Sequence, residues 1–181
     1  MVCRVKVKTI YKRRAVFVPY CVLAPGCQAN SHIQCNYEWR KEFIDIFLEN
    51  DIDIVPFTCS EVSFRSLSLG LLREKHGIDY YNKLSGFITH CDRIASQEAE
   101  KMEHMLKAKI QIIGVMGIEH SPCCAVNYLY THNGMQKRPG LFMQSFMNQL
   151  EAKGIKTDFI GINRKYPNKA LKNLRECIEK I

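Results

Sequence analysis

Apolar and polar positions alternate along the chain in blocks that switch between short apolar runs and stretches with helical spacing. Val16–Pro19 is an apolar run bounded by basic residues on one side and Cys21 on the other. Tyr37–Asn50 carries Trp39, Phe43, Ile46 and Phe47 at i, i+4, i+7 and i+8, the stripe of a helix facing a core. Ile52–Phe57 is a short, largely β-branched run ending at Cys59. Ser60–His76 predicts a helix closed by Gly77. Leu84–Thr89 predicts a third strand ending at Cys91, followed by a charged helix over Asp92–Ala108 with Asp92 as its N-cap. Ile110–Ile118 is the most apolar strand, and it runs into His120-Ser121-Pro122-Cys123-Cys124. Gly140–Lys153 predicts a helix on Phe142, Phe146 and Leu150, and Asp158–Ile162 a last short strand. Lys169–Ile181 closes the chain with Leu171, Leu174, Ile178 and Ile181 on one face. Asn133-Gly134 is a turn signal.

Short buried strands alternating with helices predict a single α/β domain over residues 1–181, a Rossmann-like parallel sheet with helices on both faces. At 181 residues and 46% hydrophobic content the chain can bury a core of its own. The basic start followed by Ala15–Leu23 has the outline of a signal peptide. Its apolar part is short, is broken by Pro19, and ends in Cys21 instead of a small-residue cleavage site. No run of about 18 apolar residues is present to span a membrane. The expectation is a cytoplasmic protein.

Nine cysteines then need a chemical explanation. The odd count and ordinary apolar content argue against a disulfide framework. Paired Cys-x-x-Cys knuckles of structural zinc are absent from the sequence. In a parallel α/β sheet, ligands bind outside the carboxyl ends of the strands. Cys21 follows the first strand, Cys59 the second and Cys124 the most apolar one, so the fold can bring all three to one rim. Thiolates are soft ligands that select zinc or iron–sulfur clusters. The bland alternative is a set of buried free thiols.

Three short segments carry a family resemblance. Cys21-Val22-Leu23-Ala24-Pro25-Gly26-Cys27, Cys59-Ser60-Glu61 and Ser121-Pro122-Cys123-Cys124 together resemble the motifs of the 2-thiouracil desulfurase family, over about residues 15–162. Ser60 stands where that pattern has proline, Cys123 where it has serine, and Ala125 where it has glycine. The resemblance implies that Cys21, Cys59 and Cys124 ligate a four-iron, four-sulfur ([4Fe-4S]) cluster, and that Glu61 and Ser121 are the catalytic pair. It also implies an oxygen-sensitive, non-redox enzyme whose open iron takes the sulfur of a thiolated base or related thioamide. Cys123 competes with Cys124 as third ligand, and Cys91, Cys27 and Cys35 are candidates to complete the site.

The roles also stand on chemistry. Glu61, two residues past a ligand, can activate water or shuttle a proton, or it can be a plain surface carboxylate. Ser121 precedes proline and can offer its hydroxyl to a substrate, or it can simply shape a turn. His90, His120 and His132 are candidate proton carriers, though lone histidines are more often structural. Cys177, Cys3 and the methionines at 102, 105, 143 and 147 read as unrelated to the site. A net charge of +8, with Lys6, Lys8, Lys12, Arg13 and Arg14 at the start and Lys165, Lys169, Lys172, Arg175 and Lys180 at the end, suits anionic partners. That supports a rival expectation, a non-enzymatic iron–sulfur or zinc protein binding RNA, or a desulfurase acting on thiolated RNA. A third is a cysteine nucleophile, Cys123 or Cys124, with His120.

Overall fold

The computed structural model describes residues 13–28, 38–64 and 76–179. Strand β1 (Arg13–Pro19) leads into a short helix α1 (Tyr20–Leu23) and a single 3₁₀ turn, Pro25–Cys27. Helix α2 (Glu38–Glu49), strand β2 (Ile52–Phe57), helix α3 (Ile78–Lys83) and helix α4 (Phe87–Lys107) follow, then strand β3 (Ile110–Ile118). A hairpin of β4 (Tyr128–Thr131) and β5 (Gly134–Lys137), helix α5 (Leu141–Ala152), strand β6 (Phe159–Ile162) and helix α6 (Asn168–Glu179) complete it.

The four-stranded sheet has the order β2-β1-β3-β6, and every pair is parallel. Its two faces bury separate cores, because successive strand residues point to opposite sides. Phe17, Phe57 and Val115 pack with Phe87, Met102, Phe142 and Phe146 of α4 and α5. Val16, Val18 and Ile160 pack with Trp39, Phe43 and Phe47 of α2 and Leu171 and Leu174 of α6. The helical stripes expected at Trp39–Phe47, Phe142–Leu150 and Leu171–Ile178 are therefore core-facing; Ile181 lies outside the described residues. Met102 and Met143 are fully buried in the same core. Ala15–Val18, which resembled a leader, is the fully buried centre of β1. No helix among the described residues is long and apolar enough to cross a membrane.

Two expected elements are corrected. Leu84–Thr89 is not a strand: Leu84 ends α3, Gly86 takes a left-handed φ of 80°, and the helix begins at Phe87. Phe87, Cys91, Ile94, Ala95, Glu98, Ala99 and Met102 are its buried face. That spacing is helical, and it overrides the β-favouring composition of Phe87-Ile88-Thr89. Asp92 consequently sits inside the helix and Gly86 at its N-cap, and Cys91 follows no strand. The helix expected over Ser60–His76 is a turn where it is described, through Phe64, and residues 65–75 lie outside the described residues. Gly77 opens α3 with an extended backbone (ψ 174°) instead of closing a helix. The Asn133-Gly134 signal marks the β4–β5 hairpin: His132 and Asn133 form its turn, and Gly134, at φ 93°, opens β5.

The loop after β3 lies directly on two glycines. A Cβ on Gly117 would stand 2.2 Å from the Cys124 carbonyl oxygen, and one on Gly140 would stand 2.4 Å from the Cys123 carbonyl carbon. Both obstacles are backbone, so neither can swing aside. Gly117→Ala is expected to cost about 2 kcal/mol or more of stability. Gly26→Ala, at a glycine with nothing within 4 Å, should stay within about 0.5 kcal/mol. Urea unfolding of the two variants checks this; equal midpoints would contradict the packing described.

Candidate functional site

The carboxyl ends of the strands come out level in pairs, because Pro19 registers with Phe57 and Ile118 with Ile162. The residues two positions beyond these ends are Cys21, Cys59, His120 and Arg164. All four line one cavity of about 120 Å³, together with Cys124, Glu61 and Ser121. Sheet order places the topological switch between β1 and β3, since the chain builds outward from β1 in both directions. A ligand crevice is expected there. Cys21, Cys59, Glu61, Ser121 and Cys124 of the three motifs thus reach a common wall, and Cys123 does not.

Each cysteine is held by its own local device. Arg40 of α2 donates from Nε to the Val22 carbonyl at 2.5 Å, fixing α1 and with it Cys21. Thr58 donates from its backbone amide (2.9 Å) and hydroxyl (3.0 Å) to Glu98 Oε1. Glu98 is a buried carboxylate on α4, so it fixes the residue before Cys59. On the other side, Ser63 donates its amide (3.0 Å) and hydroxyl (2.8 Å) to the Cys59 carbonyl. Ser121 Oγ accepts from the amides of Cys123 (3.3 Å) and Cys124 (3.2 Å), closing a tight turn. The first amides of α5 bind the same loop: Leu141 N donates to Pro122 O (2.9 Å) and Met143 N to Cys123 O (3.0 Å).

The structure separates the two adjacent thiols. Cys123 is 3% exposed and belongs to the core on the α4–α5 side. It lines only a small inner space of about 30 Å³, shared with Cys21, Cys59 and Cys124. Cys124 lines both that space and the open cavity. Cys27 also lines the open cavity, whereas Cys91 is buried on α4. Cys177 lies at the opposite edge of the sheet, 3.7 Å from Asp158. Cys3 and Cys35 lie outside the described residues. No disulfide joins any two of the described cysteines.

The thiols influence each other electrostatically. Burial pushes the Cys21 thiol well up, and the neighbouring Cys124, Cys59 and Glu61 add to this while Arg164 opposes it. Burial likewise raises Cys124, against hydrogen bonding from Ser121 and the Ile118 backbone and the charge of Arg164. Cys123 is raised well up by burial and by Glu61, and Cys91 is pushed up to about 12, mainly by burial. Thiols held protonated by burial are poor nucleophiles, which counts against a cysteine-nucleophile enzyme. A positively charged group such as iron would reverse that balance by binding the thiolates.

Glu61 accepts a 2.9 Å hydrogen bond from the Tyr81 hydroxyl, so its carboxylate is aimed, not left on the surface. Ser121 does shape a turn, yet its hydroxyl also faces Cys124 Sγ at 3.3 Å. His90 and His132 are structural: His90 bonds Ser63 Oγ at 2.9 Å, and His132 pairs with Asp79 at 3.3 Å. Among the described residues, no three His, Cys, Asp or Glu side chains converge closely enough to hold a single metal ion.

Four residues of the site carry no motif. Arg164 follows β6 and hydrogen-bonds Gln28 beside the thiols. The strand-end rule that marked the cysteines applies equally to it, but it reads as one more basic surface residue. Glu119 accepts from Asn127 N (3.1 Å), Asn127 Nδ2 (2.7 Å) and Tyr128 N (2.9 Å), tying the end of β3 to the hairpin. Gly161 makes room for it, as a Cβ there would stand 1.7 Å from Glu119 Oε1. Glu98 and His76 gave no sequence signal, being one carboxylate in a charged helix and one histidine before a glycine.

Replacing Arg164 with glutamine removes a cationic influence that lowers both Cys21 and Cys124. In metal-free protein, Arg164→Gln should slow alkylation of these two cysteines by iodoacetamide at pH 8.5 several-fold. Because both thiols are raised, wild-type rates should still be climbing above pH 9. Mass spectrometry of the labelled peptides checks this; unchanged rates would show that Arg164 does not act on the thiols. Comparison with family models, with curated proteins and with solved structures finds no match for this chain.

Proposed function

We propose that this protein is a non-redox desulfurase that exchanges the sulfur of a thiolated nucleobase or related thioamide for oxygen. The overall change is C=S plus water giving C=O plus hydrogen sulfide, with no net electron transfer. The observation that carries this reading is the convergence of Cys21, Cys59, Cys124, Glu61 and Ser121 on one small cavity at the switch point of the sheet.

The donor set suits an iron–sulfur cluster held by Cys21, Cys59 and Cys124. A single zinc needs its sulfurs gathered about 2.3 Å from one point. Cysteines of a cluster bind separate irons, so a wider trio in mutual electrostatic reach fits it better. When bound, such a cluster would supply an iron without a protein ligand as a Lewis acid for the substrate sulfur. The chain's own groups do the rest. Glu61, oriented by Tyr81, is placed to take a proton from water. Ser121 can donate its hydroxyl proton while its oxygen still accepts from the loop amides. Arg164 offsets negative charge gathered on the thiolates. The small, partly apolar cavity limits competing water.

The RNA-binding alternative draws less support. Arg13 is paired with Asp53 at 2.5 Å and Arg14 with the Asn50 carbonyl, so two cations of the basic start are engaged with the neighbouring strand and its turn. Lys6, Lys8 and Lys12 lie outside the described residues.

Anaerobic protein reconstituted with iron and sulfide should convert 2-thiouracil to uracil and release one sulfide per turnover. Glu61→Ala should lower the rate by about 10²-fold or more with the visible absorbance kept. Chromatography of the base and sulfide assay read both. Absence of turnover in a cluster-loaded wild type, or full activity in Glu61→Ala, would contradict the proposal.

A further inference from the structure

The cysteine cavity opens beside a second, larger one of about 710 Å³, lined by Trp39, Tyr130, Asn163 and Lys165 among others. His120 lines both. Two features set this residue apart from a structural histidine.

Its backbone is left-handed, with φ at 67°. Among the described residues, two other non-glycine residues share that region, Asp51 and Lys109, but both are exposed at helix-to-strand turns. His120 is half-buried at the site itself, where such strain is typically kept for a purpose. The strain is imposed from outside: His120 N donates to Tyr128 O at 2.8 Å, and Glu119, next to it, is locked by the amides of Asn127 and Tyr128.

The imidazole is also left unsatisfied. Nδ1 is buried with no hydrogen-bond partner, and no hydrogen bond to Nε2 exists among the described residues. A buried acceptor without a partner costs less than a buried orphan N–H. The neutral tautomer with its proton on Nε2 is therefore favoured, which puts the donor on the edge left to face the cavities. The ring is braced by Tyr130, 4.9 Å away between centroids. His76, stacked on Tyr80 at 3.8 Å, lines the same two cavities. Flat walls of this kind suit a flat ligand.

We propose that His120 is a further substrate-binding residue, donating Nε2–H to an in-plane acceptor of a planar heterocycle whose sulfur end lies in the cysteine cavity. This rests on the desulfurase reading. The heterocycle's carbonyl oxygen or unprotonated ring nitrogen is the matching group. A bound heterocycle would supply the hydrogen bond that the ring does not make within the described chain.

The test compares two variants that carry the same left-handed strain and similar bulk. His120→Gln keeps an N–H donor at about the reach of Nε2, while His120→Leu has none. Isothermal titration of 2-thiouracil is run anaerobically on both variants and on wild type, all cluster-loaded, and on Cys124→Ala put through the same reconstitution, which is expected to hold no cluster. Binding should weaken tenfold or more in His120→Leu and stay within about threefold in His120→Gln, with visible absorbance and melting temperature alike in the two. If His120→Leu loses its absorbance, His120→Gly, which accepts φ of 67° freely, takes its place with the same expected loss. Wild-type affinity in the leucine or glycine variant, with binding abolished in Cys124→Ala, overturns the role of His120 and leaves the desulfurase reading standing. Equal losses in the glutamine and leucine variants overturn the hydrogen bond in favour of packing. A cluster-loaded wild type that does not bind 2-thiouracil overturns both.

Discussion

Parallel pairing brings the carboxyl ends of four strands to one edge, and the loops that leave them must then share a small volume. Pro19 beside Phe57 and Ile118 beside Ile162 fix where those loops start. From there only one residue separates the sheet from each of Cys21, Cys59, His120 and Arg164, too little for the side chains to wander. The Cys123–Cys124 turn can join them because Gly117 and Gly140 present bare backbone beneath it. Without those two close approaches the turn would ride higher and the third thiol would leave the cavity.

The electrostatics of the site follow from that crowding. Thiols brought together and buried resist ionisation, and a carboxylate beside them adds to the resistance. In metal-free protein the thiols are held protonated, whereas a cationic centre would bind the sulfurs as thiolates. Arg164, tethered through Gln28, offsets part of the same charge from the end of β6. Glu98 and Glu119 serve mechanically. Each is a buried carboxylate satisfied by backbone amides, and each pins one loop: the turn before Cys59 and the junction of β3 with the hairpin.

Much of the scaffold was legible in the sequence for a physical reason. Val16–Val18 and Ile113–Ile118 lie in the two central strands, buried on both faces of a parallel sheet, and continuous apolar runs are what that environment selects. The stripes at Trp39–Phe47 and Phe142–Leu150 are equally plain, since each helix faces one core. Phe87-Ile88-Thr89 misled because a three-residue window favours strand, while the helical period emerges only over Phe87–Met102. At the site, the cysteines, Glu61 and Ser121 carry chemically distinctive side chains in compact motifs. Arg164 and Glu119 do not: their importance depends on tertiary neighbours forty or more residues away or on a glycine such as Gly161, and no local pattern encodes either. The special standing of His120 is a matter of backbone conformation and missing hydrogen bonds, which a sequence does not display.

The central claim is that Cys21, Cys59 and Cys124 together hold an iron–sulfur cluster. The most direct measurement is the count of iron and acid-labile sulfide in anaerobically reconstituted protein. Single alanine variants at these three positions are set against Cys91→Ala and Cys177→Ala. The account predicts about four of each per chain in wild type, a matching count in the Cys91 and Cys177 variants, and loss in each of the other three. Iron that is absent, or that persists when Cys21, Cys59 or Cys124 is removed, would contradict it.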